Sequence, residues 1–205
     1  RRCGIETRHR SGMLASLCAA TNAVGIAGTH GKTTTTALVT AMTTAGGLRP
    51  SSIIGADVLG GNGNVHGDGS LLIIEADESD GTLDVLPLSS LVVTNIDIDH
   101  LDYFGTFDAI KVCFGDAVAR TGGVVVLNAD DEGSADLVRV LSKEIRVTTF
   151  GRSENSTVRI TSTASHNEGT LVDVCVADQT YRCALNLRGE HNVMNFAAAL
   201  AMAIR

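Results

Sequence analysis

Five short apolar runs rich in β-branched residues recur with helix-compatible segments between them: Ala23–Ala27, Leu71–Glu75, Leu91–Asn95, Val124–Asn128 and Arg146–Phe150. The intervening segments are Thr33–Ala45, a stretch around Gly81–Leu86, Phe107–Ala119 and Asp131–Ser142. A strand that is apolar along its whole length is covered on both faces, and a parallel neighbour is reached only through a crossover. The alternation therefore predicts an α/β fold whose sheet is mostly parallel and flanked by helices. Beyond Gly151 the texture changes. Thr157–Thr163, Leu171–Ala177 and Tyr181–Leu187 are strand-like, with turn signals at Asn167-Glu168-Gly169 and Ala177-Asp178-Gln179 and no helix between them. They predict a small antiparallel three-stranded meander appended to the main sheet near the C-terminus. Gly189-Glu190-His191-Asn192 then opens an alanine-rich helix, Val193 to Ile204.

The first strand–helix joint reads Gly25-Ile26-Ala27-Gly28-Thr29-His30-Gly31-Lys32-Thr33-Thr34. A strand that feeds a glycine-rich turn into a helix N-terminus points backbone N–H groups and the helix dipole at a polyphosphate, which makes the sheet P-loop-type. Lys32 supplies a point charge for the β/γ-phosphates and the Thr33 hydroxyl a ligand for Mg²⁺. Gly28, Thr29, His30, Gly31, Lys32, Thr33 and Thr34 form the expected cradle. The match departs from the standard pattern, because Ile26 stands where the first glycine belongs. The bland alternative, a helix N-terminus with a solvated lysine, accounts for neither the glycine pair nor its placement. His30 is open to a catalytic role or to simply shaping the loop.

Glu75-Ala76-Asp77-Glu78-Ser79-Asp80 sets four carboxylates at the C-terminal end of a buried strand, where ligands of open α/β sheets sit. Crowded carboxylates repel one another and a nucleotide unless a hard cation intervenes, and Mg²⁺ resolves the conflict. The alternative is a solvated acidic loop, with Ser79 or Asp80 capping the next helix. Glu75, nearest the strand, is the metal candidate. Val93-Thr94-Asn95-Ile96-Asp97-Ile98-Asp99-His100-Leu101-Asp102 ends another apolar run. A histidine flanked by carboxylates that orient its ring is a better ligand than a lone one, so His100 joins the expected metal site.

Composition narrows the partners. The chain has a net charge of −7 and no basic stripe, which argues against nucleic acid. No apolar run approaches the roughly twenty residues that span a bilayer, and the N-terminal apolar stretch Leu14–Ala20 is broken by Ser16, unlike a signal peptide. Cys3, Cys18, Cys113, Cys175 and Cys183 show no C-x-x-C pair and read as scattered thiols of a reducing compartment.

Taken in order, Gly28-Thr29-His30-Gly31-Lys32-Thr33, Glu75-Ala76-Asp77-Glu78-Ser79-Asp80, Thr94 to Asp102, and His191-Asn192-Val193-Met194-Asn195 closely resemble the central ATP-binding domain of the Mur ligases, which build the peptidoglycan stem peptide. The resemblance runs from about Gly4 to Ile204 and is specific as a set. The forms of the acidic motif and of the loop look most like the branch that joins L-alanine to UDP-N-acetylmuramate. The resemblance implies a bacterial cytoplasmic ligase that uses ATP and two Mg²⁺ ions. The γ-phosphoryl of ATP passes to the muramoyl carboxylate, and the amine of L-alanine then attacks the acyl phosphate. It implies catalytic roles for Lys32 and His100, metal ligation by Thr33, Glu75 and His100, and contact of Asn192 and Asn195, with His191 beside them, to the adenine. Sibling ligases carry a carbamylated lysine beyond the His100 position. Here Phe114-Gly115 stand in that neighbourhood and Lys111 lies a turn earlier, so that role is not transferred.

The family's fold has three domains. This chain is expected to hold a lead-in, residues 1–22, from a missing N-terminal UDP-sugar domain, then the central ATP-binding domain, residues 23–205, with the C-terminal domain absent. Two alternatives stand beside this reading. One is the related ligase that attaches a recycled tripeptide to UDP-N-acetylmuramate, which carries tyrosine where Ser79 stands. The other is a nucleotide-binding module without ligation, which the lack of an N-K-x-D-type specificity motif after Asn95 disfavours.

Overall fold

The computed structural model describes residues 9–56, 63–99, 101–141 and 145–205. In chain order the elements are α1 Arg10–Ala19, β1 Asn22–Ala27, α2 Lys32–Ala45, β2 Ser51–Ile53, β3 Leu71–Glu75, α3 Thr82–Val85, β4 Ser90–Val93, α4 Leu101–Phe104 and α5 Phe107–Arg120. They continue with β5 Val124–Asn128, α6 Glu132–Val140, β6 Arg146–Gly151, β7 Val158–His166, β8 Gly169–Val176, β9 Gln179–Leu185 and α7 Glu190–Ala203. Among the described residues the strands form one sheet of nine, ordered β2-β3-β1-β4-β5-β6-β7-β8-β9. Pairing is parallel from β2 through to β7 and antiparallel between β7, β8 and β9. The expected α/β architecture and its appended meander are both present.

Alternation along the strands explains why both faces are covered. In β1, Ala23 and Ala27 face a cluster formed with Leu14 and Cys18 of α1, Leu83 of α3, and Ile110, Phe114 and Val118 of α5. Val24 and Ile26 face the opposite cluster, with Val39 of α2 and Val193, Phe196, Ala197 and Ala201 of α7. The alanines of α7 let its backbone come close to the sheet and to α2. Helix ends are fixed locally: Thr106 caps α5 by accepting from the Ala109 N–H at 3.2 Å, and Asp131 caps α6 by accepting from the Ser134 N–H at 2.8 Å.

The departures from expectation have local causes. β4 ends at Val93 instead of Asn95, because Thr94 and Asn95 leave the ladder to bind the loop after β1. β2 and α1 were not signalled. β2 is a three-residue edge strand with two serines, and α1 buries only Leu14 and Cys18 of its length. α7 starts at Glu190, which brings His191 and Asn192 into its first turn. The helix expected to Ser142 runs to Val140 with Leu141 at its C-cap, and Ser142 lies outside the described residues. Among the described residues no helix is long and apolar enough to cross a membrane.

The core assignment is testable on α5, where Phe114 is fully buried and Val112 is 62% exposed. Phe114→Ala should lower unfolding stability by about 3–5 kcal/mol, and Val112→Ala by no more than about 0.5 kcal/mol. Urea titration checks both, and equal losses would contradict the packing.

Candidate functional site

After β1 the chain builds β3 on one side of it, with β2 beyond, and then returns to place β4 on the other side. That reversal opens a crevice at the C-terminal strand ends, where open α/β sheets bind ligands. β1 pairs with β4 in the register Ala27↔Val93, so Gly28 meets Thr94 directly above the sheet.

The loop is shaped by glycine. Gly28 has φ +129° and Gly31 φ +84°, both in the left-handed region. A Cβ on Gly28 would stand 2.1 Å from Thr94 Oγ1, and one on Gly31 would stand 2.3 Å from Asn195 Oδ1. The segment after β4 then grips the loop. The Thr94 hydroxyl donates to the His30 carbonyl at 2.6 Å. Asn95 accepts from the His30 N–H and donates to its carbonyl, each at 3.0 Å. The Asp97 N–H donates to the Thr29 hydroxyl at 2.9 Å. Asn128, at the end of β5, steadies the gripping segment by donating to the Thr94 carbonyl at 2.9 Å. The loop is thus locked through its backbone, and the His30 side chain is left exposed at the crevice. Gly31 is the N-cap of α2 and supplies no side-chain cap, so the first-turn N–H groups are presented toward the loop.

Lys32 is buried at 9% exposure, and its ammonium donates to the Gly28 carbonyl at 2.7 Å and to the Glu78 carboxylate at 3.1 and 3.3 Å. Burial pushes the Glu78 carboxyl above the usual range, while the charge of Lys32 pulls the other way. The remaining acids divide the work. Glu75 accepts from the Thr33 hydroxyl at 3.1 and 3.3 Å and from the Gly55 N–H at 2.9 Å. Asp77 accepts from the Ser79 N–H and hydroxyl, and Asp80 from the Thr82 N–H and from Arg10. Neither Ser79 nor Asp80 is the cap expected of the acidic-loop alternative, because Gly81 occupies the N-cap of α3 without a side-chain bond. Asp77 and Asp80 instead shape the turn before it, and Glu75 stands apart with Thr33. A hydroxyl and a carboxylate beside a glycine-rich turn at a helix N-terminus are hard oxygen donors of the kind Mg²⁺ takes, so the residues fit that ion. Among the described residues no group of three His, Cys, Asp or Glu could hold a metal unaided. His100 lies outside the described residues.

Across the crevice, a cleft of about 680 Å³ joins His30, Gly31 and Thr34 of the loop to His191, Asn192 and Asn195 of α7. Phe150, Leu187 and Met194 supply its apolar lining. That size and mixture suit a flat heteroaromatic base with a few polar anchors. Asn192 donates to the Arg188 carbonyl at 2.8 Å. The cleft therefore joins the three residues expected at the base to three of the expected cradle, His30, Gly31 and Thr34, while Gly28, Thr29, Lys32 and Thr33 do not line it. Sequence reasoning missed Thr94 and Asn95 as grips on the loop and Asn128 as the support behind them. It also missed Asp130, which accepts from the Arg152 N–H and from Ser153 and so fixes the wall near Phe150. Burial alone would raise the Asp130 carboxyl, but these hydrogen bonds and the Arg152 charge outweigh it and hold it below the usual range. Only the position of Asn95 and Asn128 as the polar last residues of apolar runs signalled them.

Two outcomes test this geometry. Asn95→Ala removes both bonds to His30 and should raise the exchange rate of the His30 amide and weaken nucleotide binding about tenfold, close to two lost hydrogen bonds. Unchanged exchange would refute the grip. Because the Asp130 carboxyl is depressed in the fold, its stabilisation is present above the unfolded aspartate pKa and is lost as pH falls through the folded one. Asp130→Asn should therefore flatten the acid limb of melting temperature against pH.

The comparisons with known proteins converge. The Mur ligase middle domain family model matches residues 26–203. The chain is 41% identical over 207 residues to a UDP-N-acetylmuramate–L-alanine ligase of Kineococcus radiotolerans, covering 98% of this chain and 43% of that protein. Among solved structures it is similar to the UDP-N-acetylmuramate–alanine ligase of Thermotoga maritima, with TM-score 0.77 and 25% identity over 94% of this chain and 43% of that one. It is also similar to a UDP-N-acetylmuramate:L-alanyl-γ-D-glutamyl-meso-diaminopimelate ligase from Neisseria meningitides, with TM-score 0.83 and 24% identity over 99% of this chain and 67% of that one. The chain spans less than half the length of the curated relatives it matches.

Proposed function

The chain belongs to the Mur ligase family, matching its middle domain, and from that premise we propose that it is the ATP-binding domain of a UDP-N-acetylmuramate–L-alanine ligase acting in the bacterial cytoplasm. The observation that carries the reading is the meeting at one cleft of His30, Gly31 and Thr34 with His191, Asn192 and Asn195, directly beside the Lys32, Thr33 and Glu75 contacts. The 41% identity over 98% of this chain to an alanine-adding ligase is what supports that branch.

In the proposed reaction the γ-phosphoryl of ATP passes to the muramoyl carboxylate. The amine of L-alanine then attacks the acyl phosphate, losing a proton as the amide forms and phosphate leaves. Phosphoryl transfer of this kind depends on positioning and on charge stabilisation. The chain supplies both: the α2 N-terminus and the locked loop align the phosphates, and the Lys32 ammonium meets their charge. His191, Asn192 and Asn195 orient the adenine end. Two Mg²⁺ ions, when bound, neutralise phosphate oxygens and allow carboxylates to stand beside them. Thr33 and Glu75 would hold one of them, with His100 assigned to the metal as well. No protein nucleophile is required. We place the UDP-sugar and L-alanine sites in the portion of the relatives that this chain does not span, residues 1–22 being the lead-in and 23–205 the ATP-binding domain.

Calorimetry on this chain should therefore detect Mg²⁺-dependent ATP binding in preference to GTP, without formation of UDP-N-acetylmuramoyl-L-alanine. Lys32→Ala should weaken ATP binding by at least about a hundredfold, since it strips a charge-assisted contact from the phosphates. Glu75→Gln should raise the Mg²⁺ concentration needed for half-saturation and leave the nucleotide-free melting temperature nearly unchanged. Equal ATP affinity in wild type and Lys32→Ala would sink the assignment.

A further inference from the structure

Glu78 has no task in that chemistry, yet it is the most deeply buried acid of its motif at 2% exposure. Its Oε2 and Oε1 lie 3.1 and 3.3 Å from the Lys32 ammonium nitrogen. An ammonium has three N–H donors. Here the Gly28 carbonyl at 2.7 Å, the Thr29 carbonyl at 3.4 Å and Glu78 take them. Asp77 adds a second carboxylate, with one oxygen 3.9 Å from the same nitrogen. If the loop is the phosphate site, a nucleotide phosphate that reaches Lys32 meets a donor set already engaged by a fixed negative charge. Two anions within hydrogen-bond distance of one cation repel each other, and in a partly desolvated site that repulsion is poorly screened. The same carboxylate makes a buried lysine tolerable, since an unpaired buried ammonium is strongly destabilising.

We propose that Glu78 sets the affinity of the loop for polyphosphate, competing with nucleotide phosphates for the Lys32 ammonium while holding that ammonium under the loop. The inference rests on the reading of this loop as a phosphate site. It makes Glu78 a positioning residue that keeps nucleotide exchangeable, and it predicts that removing the negative charge tightens binding. The effect is confined to ligands that carry phosphates at Lys32, so it should act on ATP and ADP and not on adenosine.

The test is calorimetry of the chain with Mg²⁺-ATP, Mg²⁺-ADP and adenosine. Glu78→Gln should bind ATP and ADP about tenfold tighter than wild type, leave any adenosine binding unchanged and melt at lower temperature without nucleotide. In a Lys32→Ala background the same substitution should give no tightening, a coupling that a purely structural role would not produce. Wild-type or weaker ATP affinity in Glu78→Gln overturns the inference, as does equal tightening for adenosine or in the absence of Lys32. If Glu78→Gln does not fold, Glu78→Asp withdraws the carboxylate by one methylene and should tighten ATP binding by a smaller factor, and wild-type affinity there overturns the inference too. Failure of the wild type to bind ATP or ADP at all overturns the phosphate-site reading and this inference with it, whereas wild-type binding without a gain in the variants overturns this inference alone.

Discussion

The parallel pairing of β1 with β4 is the constraint on which the site depends. Its register sets Ala27 beside Val93, so the residues that follow each strand meet above the sheet, and Gly28 can approach Thr94 only because it lacks a Cβ. From that contact the hydrogen bonds of Thr94, Asn95 and Asp97 spread over Thr29 and His30. The loop has no secondary structure of its own, and the Thr29 and His30 N–H groups are instead satisfied by Asn95, so its shape is held by a neighbouring segment. The sheet supplies that segment because β4 follows β1 in space and not in sequence.

Electrostatics imposes the second demand. A chain with a net charge of −7 that is to hold a polyphosphate must concentrate what positive potential it has. The α2 N-terminus and Lys32 provide it, within a motif otherwise rich in carboxylates. Those carboxylates are sorted by their partners. Asp77 and Asp80 are used up in a turn and an ion pair with Arg10, Glu75 stays with the Thr33 hydroxyl, and Glu78 is driven under the loop against Lys32. Neighbouring acids in one short segment thereby acquire different chemistry from burial and pairing alone.

The two helices that approach the site from one face reinforce this arrangement. α2 and α7 pack on each other over the same cluster of strand residues. The small side chains of α7 let Asn195 reach the turn at Gly31. Membership of the Mur ligase family gives that packing a functional meaning, since the helix that closes the core also carries the polar residues of the cleft. The Asp130 clamp on Arg152 and Ser153 holds the opposite wall.

Much of this was legible in the chain itself. Apolar runs such as Leu71–Glu75 and Val124–Asn128 announced strands buried on both faces, and the meander followed from strand-like segments with no helix between them. The Gly28–Thr34 loop and Glu75 could be selected because their chemistry is local: a glycine pair at a strand–helix joint and a carboxylate at a strand end. His191, Asn192 and Asn195 could be selected only through the family resemblance, since amides opening a helix carry no ligand signal of their own. β2 and α1 escaped because a three-residue serine-rich edge and a helix with little apolar surface carry almost no periodic signal. The partnerships escaped for a different reason. That Glu78 and not Asp77 takes the closest ion pair with Lys32, and that Asn95 holds His30, depends on contacts between residues 46 and 65 positions apart. The sequence by itself determined which groups were available and where along the strands they would emerge. The tertiary structure decided which met, because strand order and register are settled by the burial of the whole sheet and not by any local stretch of it.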